Sequence, residues 1–78
     1  MITVYTASEC PWCQKVKTYL QSKQVVYKEI NVEEDLEGRE ELVALTQQLN
    51  IPVIKINEAV ITGFDRKEID KQLDLLNS

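Results

Sequence analysis

The 78-residue sequence has no histidine, only two cysteines, and no apolar run that approaches the roughly 20 residues of a membrane span. A structural zinc site takes four ligands, and two cysteines without histidine cannot supply them unless carboxylates take part. We therefore expect no metal site within one chain. A metal ion or iron–sulfur cluster shared between two chains is the alternative that ligand counting leaves open.

Basic residues are also few, since nine Lys and Arg stand against thirteen Asp and Glu, for a net charge of −4. No basic stripe is present that would displace counterions from phosphates, so we expect no nucleic-acid partner. A small secreted domain usually needs several disulfides, whereas this chain has one closely spaced cysteine pair. Without a signal-peptide pattern or a membrane span, we expect a cytoplasmic protein. The length allows one domain, over residues 1–78, and we expect this domain to be a monomer.

The first half of the chain has a strand–helix–strand pattern. Residues 2–6 are β-branched and aromatic and predict a strand. A helix is predicted from Pro11 to about Lys23, because apolar residues recur there at helical spacing. Residues 25–32 return to strand composition, and this order implies a right-handed crossover between two parallel strands. The apolar residues of the helix are Trp12, Val16, Tyr19 and Leu20.

A second helix is predicted to follow an acidic stretch. Asp35 is its expected N-cap, and Asn50 is its expected C-terminal stop because Asn tolerates the left-handed conformation. Its apolar stripe consists of Leu42, Leu45 and Leu49.

The remaining chain predicts a hairpin and a third helix. Strands at 52–56 and 59–62 are joined by two residues, which favours an antiparallel hairpin. Asp65 is the expected N-cap of the last helix, with Glu68 completing a capping box and Phe64 stapled onto Ile69. The predicted buried stripe of this helix is Ile69, Leu73 and Leu76. The predicted order is β-α-β-α-β-β-α, an α/β fold with helices on both faces of a four-stranded mixed sheet.

The two cysteines lie at the start of the first helix. Cys-x-x-Cys beside a strand–helix–strand pattern is typical of thiol–disulfide exchange. Cys10 is the expected N-cap and Pro11 suits the first helical position, so the helix start favours a Cys10 thiolate. We expect Cys10 to attack a disulfide and the more shielded Cys13 to resolve the adduct, while the Glu9 carboxylate opposes the thiolate. The alternative is a pair of inert buried cysteines.

Four segments, at residues 10–13, 39–42, 50–52 and 62–65, resemble the glutaredoxin family of the thioredoxin superfamily, and the resemblance extends over nearly the whole chain. The resemblance implies a thioredoxin-like fold of the glutaredoxin type. Cys10-Pro11-Trp12-Cys13 resembles the family's usual Cys-Pro-Tyr-Cys, Arg39-Glu40-Glu41-Leu42 resembles the start of its second helix, Asn50-Ile51-Pro52 stands where it has Thr-Val-Pro, and Thr62-Gly63-Phe64-Asp65 where it has Gly-Gly-x-Asp.

The resemblance also implies a substrate or glutathione site around the cysteines, which includes Pro11 and Trp12. Pro52 would be cis, the alternative being a trans proline at the start of an edge strand. Ile51 would offer its backbone to an extended substrate. The segment of Gly63, Phe64 and Asp65 would present free helix N–H groups to a glutathione carboxylate. Arg39 would bind the other carboxylate, or is only a solvated charge.

Some residues depart from the family pattern. Ala7 stands where many glutaredoxins have a lysine, Asn50 replaces threonine, and Arg66 follows Asp65. Thr62-Gly63-Phe64 resembles the Ser-Gly-Phe of redoxins that feed ribonucleotide reductase and draw electrons from thioredoxin reductase. The electron source is therefore open between glutathione and thioredoxin reductase. Trp12 either contacts a partner or packs into the helix stripe.

The resemblance and the cysteine chemistry together predict a dithiol oxidoreductase. It would reduce disulfide-containing proteins or glutathione mixed disulfides through a Cys10–Cys13 cycle, with glutathione as co-substrate and no bound cofactor. One alternative is a dedicated electron donor for ribonucleotide reductase that is reduced by thioredoxin reductase. Another is a non-catalytic module that docks a partner through Trp12, Ile51 and Phe64, with the cysteines as a redox switch.

Overall fold

The computed structural model of the protein describes residues 2–47 and 51–77. The elements of these residues follow the predicted order. They are β1 (Ile2–Thr6), α1 (Pro11–Ser22), β2 (Lys28–Asn31), α2 (Leu36–Thr46), β3 (Val53–Ile56), β4 (Ala59–Thr62) and α3 (Arg66–Asn77).

The strand order in the sheet brings all three helix starts to one end. The order is β2-β1-β3-β4, with β1 parallel to β2, and β3 antiparallel to both β1 and β4. Strands β1, β2 and β4 therefore finish at the end where β3 begins. Because α1 and α2 follow β1 and β2, and α3 follows β4, the positive ends of the three helix dipoles lie at this end.

Each face of the sheet buries its own apolar cluster, as expected for a sheet with helices on both sides. One cluster includes Val16 and Leu20 of α1 together with Ile69 and Leu73 of α3. The other includes Leu42 of α2 with Tyr5, Ile30, Val32 and Val53. The α/β prediction is confirmed. Within the described ranges, no helix is long and apolar enough to cross a membrane.

The second strand is shorter than predicted. The sequence predicts strand from 25 to 32, whereas β2 begins at Lys28. The chain leaves α1 through Gln24, which has a φ of 59°, and the Val25 N–H still bonds the Leu20 carbonyl at 3.4 Å. Val26 is 92% exposed and has no sheet face to cover. The local β-branched composition is thus overridden by the turn that closes the helix.

The second helix ends earlier than predicted. Its last residue is Thr46, and Gln47 takes the left-handed conformation at φ 61°, with its N–H bonded to the Val43 carbonyl. The sequence assigns this terminating role to Asn50. Positions 49 and 50, where the last stripe residue and the stop were predicted, lie outside the described residues. Strand β3 begins at Val53, one position after the predicted start.

Candidate active site

Cys10 occupies the N-cap of α1, as predicted. Its backbone is extended at φ −141° and ψ 97°, and its Sγ accepts a hydrogen bond from the Cys13 N–H at 3.1 Å. The Cys10 carbonyl accepts the Gln14 N–H at 3.2 Å, the first bond of the helix. Pro11 fills the first helical position, where a missing N–H costs nothing. The sulfur therefore lies against the N–H groups of a helix start.

The two cysteines form a disulfide and differ in accessibility. Their Cα atoms are 5.2 Å apart. Cys10 is half-buried, whereas Cys13 is 1% exposed. A substrate can therefore approach Cys10 from solvent, while Cys13 meets the sulfur of Cys10 within the protein. The predicted division into an attacking and a resolving cysteine requires such a difference in exposure and stays a prediction.

The lysines near the cysteines have partners of their own. The Lys15 Nζ lies 4.2 Å from the centroid of the Trp12 ring, a cation–π arrangement. The Lys17 Nζ forms an ion pair with the Glu29 carboxylate at 3.0 Å. Glu9 is exposed. Both ammonium groups are therefore engaged elsewhere, and the N–H groups at the start of α1 are what oppose the effect of the Glu9 charge on a Cys10 thiolate.

Glu29 connects three elements of the fold. Its carboxylate accepts hydrogen bonds from Lys17 of α1 at 3.0 Å and from the buried Thr6 hydroxyl of β1 at 2.9 Å. The Lys17 contact is the main cause that lowers the pKa of Glu29, and the Thr6 bond acts in the same direction against the effect of burial. The end of β1, the second turn of α1 and β2 are thus joined by one carboxylate.

The proline loop is bonded to the glycine segment. The Ile51–Pro52 peptide bond is cis, as the family resemblance implies. Pro52 is buried, and its carbonyl accepts the Gly63 N–H at 2.9 Å. Gly63 has a φ of 77°, which glycine adopts without a Cβ penalty. Ile51 is half-buried against the cluster that contains Val53. Pro52 and Gly63, predicted separately, therefore belong to one unit.

Phe64 brings this unit to the first helix. Its ring lies 6.4 Å from the Trp12 ring and 5.7 Å from the Tyr19 ring, the latter edge to face. Trp12 is 55% exposed, and the buried residues of α1 are Cys13, Val16 and Leu20. Of the two readings of Trp12, the structure favours an exposed aromatic beside Cys10 and not a member of the helix stripe.

The start of α3 is occupied by its own cap. The Asp65 carboxylate accepts the Glu68 N–H at 3.2 Å, so this N–H is not free for a ligand as the resemblance implies. The Glu68 carboxylate accepts from the Gln72 side chain at 3.2 Å, and the predicted reciprocal capping box is only half formed. The N–H groups of Arg66 and Lys67 precede the first bond of the helix.

Arg39 stands apart from these residues. It is exposed on α2, and its N–H makes the helical bond to the Asp35 carbonyl at 3.0 Å. Within residues 2–47 and 51–77, no contact joins the Arg39 side chain to the cysteines. The same described residues contain no group of three potential metal ligands.

Sequence reasoning missed the roles of Tyr19 and Lys15. Tyr19 was assigned only to the core stripe, yet it also supports Phe64. Trp12, Lys15 and Tyr19 are spaced i, i+3 and i+7, which places them on one helix face. This spacing was the available signal.

Comparisons with known proteins agree with the fold and the cysteine motif. A family model described as Glutaredoxin matches residues 2–61. An uncharacterized glutaredoxin-like 8.6 kDa protein in the rubredoxin operon of Clostridium pasteurianum is 43% identical over 74 residues, 95% of this chain and 99% of that protein.

Two solved structures share this architecture. The thioredoxin-like protein BC3987 matches with a TM-score of 0.87 at 30% identity, over 92% of this chain and 99% of its own. The glutaredoxin-like protein NrdH-redoxin from Escherichia coli, described as having a thioredoxin-like activity profile, matches with a TM-score of 0.81 at 27% identity. That match covers 90% of this chain and 91% of the other.

Proposed function

Because the chain belongs to the glutaredoxin family, we propose that it is a dithiol oxidoreductase that reduces protein disulfides or glutathione mixed disulfides. One observation carries the proposal. The half-buried Cys10 Sγ accepts an N–H at the start of α1, while its disulfide partner Cys13 is buried. A thiolate at the first position is stabilised by the helix start, and the second sulfur is shielded from solvent thiols.

The reaction transfers two electrons through one mixed disulfide. The Cys10 thiolate attacks a sulfur of the substrate disulfide, so a Cys10–substrate bond forms and the other substrate sulfur leaves as a thiolate that takes a proton. Cys13, deprotonated, then attacks the Cys10 sulfur and releases the second substrate thiol. The Cys10–Cys13 disulfide that results must be reduced by an external thiol or reductase.

The surroundings of the cysteines suit an extended substrate. Pro52 and Gly63 form one hydrogen-bonded unit at the end of the sheet where α1 begins. Ile51, at its edge, would pair its backbone with the substrate as a short added strand. The helix starts supply positive potential without any bound cofactor. Glutathione is the proposed co-substrate, and the cytoplasm, where thiols are kept reduced, is the proposed location.

The reductant is tested by coupling the oxidised protein to NADPH in two parallel assays. One contains glutathione with glutathione reductase, and the other contains thioredoxin reductase. NADPH consumption that depends on the protein in either assay identifies the electron source. If neither assay reduces the Cys10–Cys13 disulfide, the proposed cycle lacks a reductant and fails.

The Cys13→Ser variant tests the order of the two cysteines. It should accumulate a mixed disulfide between Cys10 and a protein substrate, visible by mass spectrometry, because the resolving sulfur is absent. Activity should persist only where glutathione can resolve the adduct. Adducts found on position 13 in a Cys10→Ser protein at the same yield would contradict the assignment.

A second candidate is an electron donor dedicated to ribonucleotide reductase and reduced by thioredoxin reductase. The exposed Trp12 against Phe64 favours it, because paired aromatics beside a nucleophile suit a protein partner more than a tripeptide. Ala7, in place of a basic residue, removes one expected contact to glutathione. Turnover with thioredoxin reductase and none with glutathione would select this candidate. A redox-switched binding module would show oxidation-dependent affinity without turnover.

A further inference from the structure

A groove lies between α1 and the start of α3. It encloses a cavity of about 400 Å³. Its floor is formed by the half-buried rings of Tyr19 and Phe64, which contact each other edge to face at 5.7 Å. The ring of Trp12, which follows Cys10 by two positions, lies 6.4 Å from the Phe64 ring. The groove therefore has an aromatic floor and lies along the helix that Cys10 caps.

The charged residues of the groove are cations only. Lys15 and Arg66 line it from α1 and α3, both exposed, and no carboxylate is part of the lining. This is unusual for a chain with a net charge of −4. Of the neighbouring acids, Asp65 already accepts the Glu68 N–H, and Asp70 accepts the Tyr19 hydroxyl and pairs with Lys23 at 3.7 Å.

The length of the groove exceeds what a tripeptide joined to Cys10 can cover. Thr18, which lines the groove, lies eight residues after Cys10, or about 12 Å along a helix. An extended chain advances about 3.3 Å per residue. When the cysteine of a substrate is held at Cys10, the substrate residue about four positions away therefore lies near Thr18. A substrate that fills the groove must therefore be a longer polypeptide.

We propose that this groove docks an acidic protein segment with a large apolar side chain about four residues from its disulfide-bonded cysteine. The inference rests on the proposed function and names its substrate class. The apolar side chain covers the rings of Tyr19 and Phe64, and carboxylates on either side of it meet Lys15 and Arg66. The starts of α1 and α3 favour the same negative charge.

The test uses reduced protein in single turnovers with synthetic peptides. Each peptide has one cysteine joined by a disulfide to thionitrobenzoate, whose release is followed by absorbance. The protein dithiol supplies the two electrons, giving the peptide thiol, thionitrobenzoate and the Cys10–Cys13 disulfide. The reference peptide has a Phe four positions from the cysteine, with a glutamate on each side of the Phe. Two versions place this Phe on the N-terminal or on the C-terminal side of the cysteine. One control replaces Phe with Ser, and the other replaces the glutamates with Gln.

The reference peptide should reach half-saturation at about a tenfold lower concentration than the Ser control, because an aromatic side chain is buried on the groove floor. The Gln control should bind several-fold more weakly than the reference, roughly what two rim charges contribute. Equal half-saturation for all three peptides overturns the docking proposal while the release of thionitrobenzoate still supports the proposed function. No release from any peptide sinks the proposed function itself.

Substitutions at neighbouring positions of one helix provide the matched control. Arg66→Gln combined with Lys15→Gln should reduce the preference for glutamate over glutamine peptides about fivefold. Lys67→Gln, one position along α3 and outside the groove, should leave this ratio unchanged. The ratio compares two peptides on one protein, so a change in thiol reactivity cancels. The proposal is overturned if the Lys67→Gln protein loses the glutamate preference as fully as the double variant does. It is also overturned if sedimentation shows a dimer that Arg66→Gln dissociates, because a second copy of the chain would then fill the groove.

Discussion

The starts of α1 and α2 have the same geometry and different chemistry. Cys10 and Asp35 are both extended N-caps, and each accepts the N–H three residues on, the sulfur at 3.1 Å and the carboxylate at 2.9 Å. A carboxylate is a common cap that is stable and unreactive. A thiolate in this position is stabilised by the helix start in the same way as a carboxylate, and it is also a nucleophile. In the proposed reaction, the same kind of helix start that only stabilises α2 also favours the nucleophile of α1.

The third helical position continues the comparison. It is Cys13 in α1 and Gly38 in α2. The Cys-x-x-Cys spacing equals the spacing from N-cap to N3, the two positions that exchange hydrogen bonds in a capping box. In α1 the Cys10 sulfur still accepts the Cys13 N–H, and the return hydrogen bond from the N3 side chain is replaced by a disulfide bond. In α2 the position holds no side chain, because a Cβ on Gly38 would overlap the Ile30 Cγ2 methyl.

Cys10→Ser separates capping from chemistry most clearly. Serine is a strong N-cap, so the free energy of unfolding of the reduced protein should change little. Reduction of a small organic disulfide should fall by more than about a thousandfold, because the nucleophile is lost. Activity is measured by NADPH coupling and stability by urea denaturation. Persistent turnover in this variant would show that the Cys10 sulfur is not the nucleophile, and the chemical difference between the starts of α1 and α2 would be lost.

Gly38→Ala tests the packing at the other helix start. Helix propensity alone favours alanine, but overlap with Ile30 should destabilise the protein by a net of about 1–3 kcal/mol. Urea denaturation measures this, and disulfide reduction should be retained. In an Ile30→Ala background the same change should become neutral or stabilising. An equal loss in both backgrounds would show that Ile30 is not the cause.

Asp35→Ala should cost about 1 kcal/mol of stability, the usual value of a lost N-cap. The Gly38 N–H loses its acceptor, while the cysteines are unaffected, so activity per folded molecule should not change. Asp35→Ser is the matched control and should recover most of the loss. A large activity defect in Asp35→Ala would mean that the two helix starts are coupled.

Glu29→Gln should have the smallest effect, about 1 kcal/mol or less, because the Lys17–Glu29 pair is partly exposed to solvent. The pKa of Glu29 is lowered in the folded protein, so its contribution is present above the usual value near 4.5 and is lost as the pH falls below it. Unfolding of both proteins at pH 7 and pH 3 should show a larger difference at pH 7 than at pH 3. A difference that grows at low pH would contradict this sign.

Local signals explain what the sequence could predict. Apolar periodicity places α1, and the cap signals place Cys10, Asp35 and Asp65, because each depends on residues within one turn. The cis bond before Pro52 followed only from the family resemblance.

Contacts between distant residues explain what could not be predicted. Tyr5 donates to Glu41, and burial with this contact raises the pKa of the Tyr5 hydroxyl above its usual value, yet 36 positions separate the two residues. Gln47 ends α2 in a left-handed conformation that its residue type does not predict. The exposure of Trp12 depends on where Phe64 arrives from β4. Each of these outcomes requires the assembled sheet.

The register of β1 and β3 limits where the chain can change in length. Tyr5 is paired with Val53, so Pro52, the residue just before β3, lies beside Thr6 at the end of the sheet from which the cysteine loop departs. One residue inserted at the end of β1 or at the start of β3 would shift the proline relative to the cysteine loop by about 3.4 Å. It would also reverse the sheet faces of the side chains that follow the insertion in the same strand. The Asn57–Glu58 turn lies at the opposite end, where insertions change neither pairing nor cysteines. Length variation among related chains should therefore concentrate at this turn and be absent around positions 6–10 and 51–53.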